Sequence, residues 1–222
     1  MGFVSRTVEI SNLGPIEQLR TGRLPRRLIQ LFIGLALYGV SIGLMVHGGL
    51  GLAPWDVLTS GLIRHLPFSF GTIIVLTSFV VLLFWLPLGE RPGVGTVANA
   101  VVVGLMADVT LSLLPMIDNL LGRAGLMVGG VVLCGFASAV YVGAQLGRGP
   151  RDGLMTGLAR KTGRSLRLVR TVLELIVLAI GLALGGALGL GTVLFALSIG
   201  PLTQFFLPWV VVRGLQPAVT SE

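Results

Sequence analysis

Four acidic residues are the candidates for chemistry in this largely apolar chain: Asp56, Asp108, Asp152 and Glu174. A carboxylate at membrane depth is costly, and by default it marks a solute path or a proton relay with a partner to be named. Two of the four recur in one pattern. Asp56 follows Pro54 in "GLGLAPWDVL" (49–58), and Asp152 follows Pro150 in "GRGPRDGL" (147–154). Proline suits the first turn of a helix, where its missing N–H costs nothing. A carboxylate two residues on then meets the free N–H groups and the positive end of the helix dipole. Two readings stay open. The acids stabilise the helix starts, or the two interrupted helices aim their N-termini at one central site, as in many transporters.

Glu174 has Arg170 one turn earlier on the same face, the spacing of an i,i+4 ion pair. The alternative is a proton site. Asp108 sits 14 residues into its apolar run, about 21 Å along a helix. It is the leading candidate for a buried titratable group, against an interfacial carboxylate near the outer headgroups. Cys134 is the single cysteine and lies inside an apolar run, which gives it a packing role. No HExxH, GxSxG, CxxC or P-loop pattern occurs, so no catalytic residue, metal ligand or cofactor is assigned and the chain reads as a non-enzyme.

The elements that must position these acids are membrane helices. The chain of 222 residues is 54% hydrophobic and only 11% charged, against about 25% charged in soluble domains. Six runs, near 28–48, 70–88, 94–114, 124–146, 166–185 and 189–209, each approach the ~20 residues that cross the hydrocarbon core. Short helices are expected at Pro54–His65 and Pro150–Lys161, interfacial or re-entrant. Basic residues divide 14 to 2 between the two sides when the N-terminus is placed inside. The positive-inside rule then puts both termini in the cytoplasm. The +7 net charge belongs to this topology, so no nucleic-acid partner is expected. The basic face suits anionic lipids. The first run exceeds a signal peptide's apolar region and reads as a retained span.

Shifting the chain by 96 residues without gaps pairs 28–112 with 124–208, and 25 of the 85 positions are identical. Pro54/Pro150, Asp56/Asp152, Thr96/Thr192 and eight glycines are among them, which indicates a duplication. Three spans per half is an odd number, so the second half enters the membrane upside down. The expected plan is a basic cytoplasmic segment (1–27), a first three-span repeat (28–115), an inverted second repeat (124–209) and a cytoplasmic tail (210–222). The fold class is all-α and polytopic.

The stretches "GLGLAPWDVL", "GRGPRDGLMTGLARKTGRSLRLVRTVLE" and "GLGTVLFALSIGPLTQFF" resemble the YczE-type bacterial membrane proteins, grouped with the wider YyaS/YitT set. The resemblance covers about residues 23 to 209. It implies a multi-pass protein of the bacterial plasma membrane and supplies no catalytic or ligand residues. The architecture favours a small permease or exporter acting on a small-molecule substrate, as a monomer or homo-oligomer. The alternative is a non-transporting membrane factor that supports a partner protein or envelope process.

Overall fold

The computed structural model describes residues 14–115 and 117–213; residues 1–13 of the expected N-terminal segment and 214–222 of the expected tail lie outside them. Ten helices and no strands occur among the described residues. They are α1 (Pro15–Arg20), α2 (Leu24–Gly48), α3 (Pro54–Leu62), α4 (Phe70–Leu83) and α5 (Trp85–Leu88). The chain continues with α6 (Val94–Leu113), α7 (Leu120–Gly143), α8 (Pro150–Thr162), α9 (Leu166–Ala183) and α10 (Leu190–Val210). The short α1 was not anticipated from the sequence. Both Pro-started helices form where expected, with Pro54 and Pro150 in their first turns. Equivalent serines begin the helices that follow: Ser69 accepts from Thr72 N at 3.1 Å and Ser165 from Leu168 N at 3.3 Å, as N-caps do.

Five segments are long and apolar enough to cross a membrane: α2, α4 with α5, α6, α7 and α10. The sixth expected span, α9, is 18 residues long, but Arg167, Arg170 and Glu174 interrupt its apolar run.

The helices pack through contacts that repeat at the 96-residue shift. In the central pair, a Cβ on Gly34 of α2 would stand 2.6 Å from the Tyr141 nitrogen of α7, and one on Gly130 of α7 would stand 2.7 Å from Met45 Cγ of α2. Small residues let backbones approach closely in lipid. Leu31, Leu35, Ile42, Met45, Met127 and Cys134 fill the core around this pair, which gives Cys134 its packing role. Gly39 faces Met106 of α6, and its equivalent Gly135 faces Leu202 of α10, the equivalent of Met106.

The turns before α3 and α8 cross between the halves in the same way. Gly191 N donates to Leu50 O at 2.8 Å, and Gly95 N donates to Leu146 O at 2.8 Å. Next to them Leu52 N donates to Thr192 Oγ1 at 3.1 Å, and Thr96 Oγ1 donates to Arg148 O at 2.7 Å. Gly51 and Gly147 make these turns possible, with φ of 121° and 128°, values that L side chains rarely adopt.

The seats of α3 and α8 are also equivalent, with the bulk exchanged. The backbone of α3 at Val57 and Leu58 packs on Gly181 of α9, whereas Gly153 of α8 packs on the ring of Trp85 in α5. Position 57 corresponds to 153, and 85 to 181. Trp85 Nε1 also donates to Pro150 O at 3.0 Å, fixing the start of α8.

Candidate functional site

Between the two halves lies a cavity of about 700 Å³, into which α3 and α8 both begin. Its walls come from equivalent positions: Ile74, Ser78 and Val103 from the first half, Arg170, Glu174 and Ile199 from the second. The first-half wall is apolar or neutral, so the charge on these walls comes from the second half. The turn before α8, at Gly147–Gly149, also lines it.

Asp56 is 2% exposed at the start of α3. Arg151 Nη2, from the start of α8, approaches its Oδ1 to 3.6 Å. No hydrogen bond reaches Asp56 Oδ1 among the described residues. Burial pushes the Asp56 carboxyl above its ordinary range, and the Arg151 charge opposes that shift. The same guanidinium lies 5.0 Å from the centre of the Trp55 ring, a cation–π distance. Trp55 and Arg151 occupy one repeat position, so two unlike residues at equivalent sites stack on each other. Sequence reasoning missed this pair; the signal was the mismatch at an otherwise matched motif.

Asp152 is not equivalent in its surroundings. It is exposed, lines the cavity, and accepts a hydrogen bond from Tyr141 Oη at 2.7 Å. Tyr141 meets Tyr38 edge to face, with ring centroids 6.1 Å apart. A Cβ on Gly149 would come within 3.2 Å of Asp152 Oδ2, 3.4 Å of Tyr141 Oη and 3.5 Å of Asn99 Nδ2. The α8 start, Tyr141 and Asn99 therefore share one small space.

Arg170 Nε donates to Glu174 Oε1 at 2.8 Å, the i,i+4 pair expected from the spacing. The pair lines the cavity. Asp108 does not. It closes the N-terminus of α4, accepting from Gly71 N at 2.7 Å and from Ser69 Oγ. Its equivalent, Gln204, does line the cavity. The structure thus brings Asp56, Asp152, Arg170 and Glu174 to one region and leaves Asp108 as a helix cap elsewhere. No group of three or more His, Cys, Asp or Glu side chains converges among the described residues.

The two equivalent helix crossings, α4 with α6 and α9 with α10, differ. At one, Gly71 of α4 lies directly against Gly104 of α6, so that a Cβ on either would collide with the other's carbonyl. At the equivalent place in the second half Gly71 is replaced by Arg167, and a Cβ on Gly200 of α10 would meet nothing within 4 Å. The first-half crossing is closed and its counterpart is open.

Residues 25–208 match a family described as "Family of unknown function (DUF6198)". An uncharacterized protein of Haemophilus influenzae is 42% identical over 177 residues, covering 80% of this chain and 81% of its own. The uncharacterized membrane protein YczE of Bacillus subtilis is 34% identical over 179 residues, 80% of this chain and 83% of its own. The uncharacterized protein YyaS of the same organism is 26% identical over 182 residues, 80% of this chain and 90% of its own. No solved structure matches.

Proposed function

The chain belongs to the DUF6198 family, a family of membrane proteins of the YczE type, and from that premise we propose that it is a small permease or exporter. Two inverted halves of three spans enclose its solute site, and the cavity between them is that site. The observation that carries this reading is the convergence of the α3 and α8 starts on one cavity walled by equivalent residues of both halves. Inverted-repeat transporters bind their solutes at such a midplane junction of interrupted helices. The antiparallel lie of α2 and α7, the equivalent first helices, supports the inversion.

In this reading α9 is the sixth span. Its 18 residues rise about 27 Å at 1.5 Å each, close to the core thickness of about 30 Å. Arg170 and Glu174 neutralise each other and face the cavity, where intramembrane charges belong. Both termini lie in the cytoplasm of a bacterial cell, and the basic residues of that face meet anionic lipids. The open α9–α10 crossing then gives the cavity its cytoplasmic mouth, and the Gly71–Gly104 crossing seals the outer side.

Reconstitution tests the reading. Proteoliposomes carrying the purified protein and a pH-sensitive dye are offered a panel of small solutes. A solute- or proton-dependent flux that falls in Asp152→Asn or Glu174→Gln supports it. No flux with any solute, together with normal rescue of a deletion strain by these variants, overturns it in favour of a non-transporting membrane factor.

A further inference from the structure

Building on the reading of the cavity as a solute site, we infer that it receives an organic cation, with the Asp152 carboxylate as counter-ion. The three acids of this region are not alike. Asp56 has Arg151 at 3.6 Å and Glu174 has Arg170 at 2.8 Å. Asp152 has no cationic group within ion-pair distance among the described residues. It is also the exposed one, on the cavity wall, while Asp56 is buried.

Tyr141 Oη fills one acceptor position of Asp152, whereas a carboxylate offers about four lone-pair sites. The acid is therefore held in place and still has capacity to accept. It stands in the first turn of α8, where free N–H groups and the helix dipole favour negative charge. Of the three arginines on the cavity lining, Arg151 and Arg170 are matched by Asp56 and Glu174, and Arg148 stands on the exposed turn before α8. Asp152 is the lining carboxylate that these two ion pairs leave to a solute.

Aromatic rings line the same space: Tyr38, Tyr141, Trp55 and Phe195. Ring faces attract organic cations, and the Arg151–Trp55 stack is an internal example in the same wall. Apolar Ile74, Val103 and Ile199 complete an environment that strips water from a bulky cation. The volume of about 700 Å³ is that of a pocket for a drug-sized molecule.

Tetraphenylphosphonium and tetraphenylborate test this, since they share shape and apolarity and differ in the sign of charge. Binding is measured on purified protein in nanodiscs, with empty nanodiscs as baseline. The wild type binds the phosphonium. Asp152→Asn weakens that binding roughly tenfold or more, the scale of losing a desolvated charge contact, and Asp152→Glu recovers most of it. Tetraphenylborate binding is not weakened by Asp152→Asn.

Equal phosphonium affinity in wild type and Asp152→Asn overturns the inference, as does absence of binding or equal affinity for the two ions. Should Asp152→Asn fail to fold, Gly149→Val fills the space beside Asp152 and Tyr141, and an unchanged phosphonium affinity there overturns it as well. Binding without any flux supports the cation site and defeats the transport reading. Flux of another solute without phosphonium binding does the reverse.

Discussion

Arg27 and Arg123, 96 residues apart, each close the C-terminus of the helix on which the other begins. Arg27 Nε and Nη2 donate to the carbonyls of Ala144 at 2.9 Å and Gln145 at 2.6 Å, at the end of α7. Arg123 Nε and Nη2 donate to Gly48 at 2.9 Å and Gly49 at 2.8 Å, at the end of α2. The last carbonyls of a helix have no partner within it, and a cation there also answers the dipole. The two central helices thus lie antiparallel, pinned at both ends by one reciprocal device.

Arg27 is fully buried, whereas Arg123 is half-buried. Replacing Arg27 with Met keeps the stem and strands buried carbonyls, which costs about 3 kcal/mol. The same change at Arg123, where water reaches the carbonyls, costs about 1 kcal/mol. Unfolding by SDS titration in mixed micelles checks the order. An Arg123→Met loss equal to or larger than that of Arg27→Met counts against the device.

The exchanged seats predict a compensating pair. Gly153→Val drives a side chain into the Trp85 ring, and Trp85→Gly leaves a void and frees the Pro150 carbonyl. The tryptophan change alone costs about 3 kcal/mol or more. The double variant carries the residue pair found at positions 57 and 181, and it recovers at least about 1 kcal/mol over the sum of the single losses. Strict additivity in a double-mutant cycle would show that the two seats are not equivalent.

Asp108 and Asp152 separate stability from the site. Asp108→Ala removes the acceptor for Gly71 N and Ser69 Oγ and lowers stability by about 1 to 2 kcal/mol. The cavity is untouched, so solute flux per folded molecule stays at the wild-type level. Asp152→Asn has the opposite profile, with near-normal unfolding and lost flux. A flux defect in folded Asp108→Ala protein would place that acid back on the solute path.

Whether α9 crosses the membrane is decided by reporters on either side of it. Fusions at Gly163 and Gly185 report opposite faces when it spans, with Gly163 inside. A reporter after Arg213 is then cytoplasmic, and one near Asp118 is external. Gly163 and Gly185 on the same face would leave five spans and remove the inverted plan.

Much of this architecture was legible because local chemistry sets helix ends. Pro54 and Pro150 marked two starts, and the glycines at the ends of the apolar runs marked the breaks. Arg27 was not recognised as part of the repeat, because its charge fits the basic N-terminal segment as readily as a cap. Its identity with Arg123 at the same shift was the available signal. Asp108 read as a candidate titratable group because the hydroxyl and amide it caps lie 37 to 39 residues away, a pairing that only packing creates. The Arg151–Asp56 pair was hidden for the same reason: the partners start different helices in different halves.

The exchange of bulk at the two helix seats bears on ancestry and assembly. Two copies of the first half would set the valine of position 57 against the tryptophan of position 85, overfilling both seats. Two copies of the second half would set glycine against glycine, with no side chain at either position. Each seat therefore takes its two unlike members from different halves. At these seats the first half cannot stand in for the second, because the Trp85 ring already fills the space a side chain at position 153 would take.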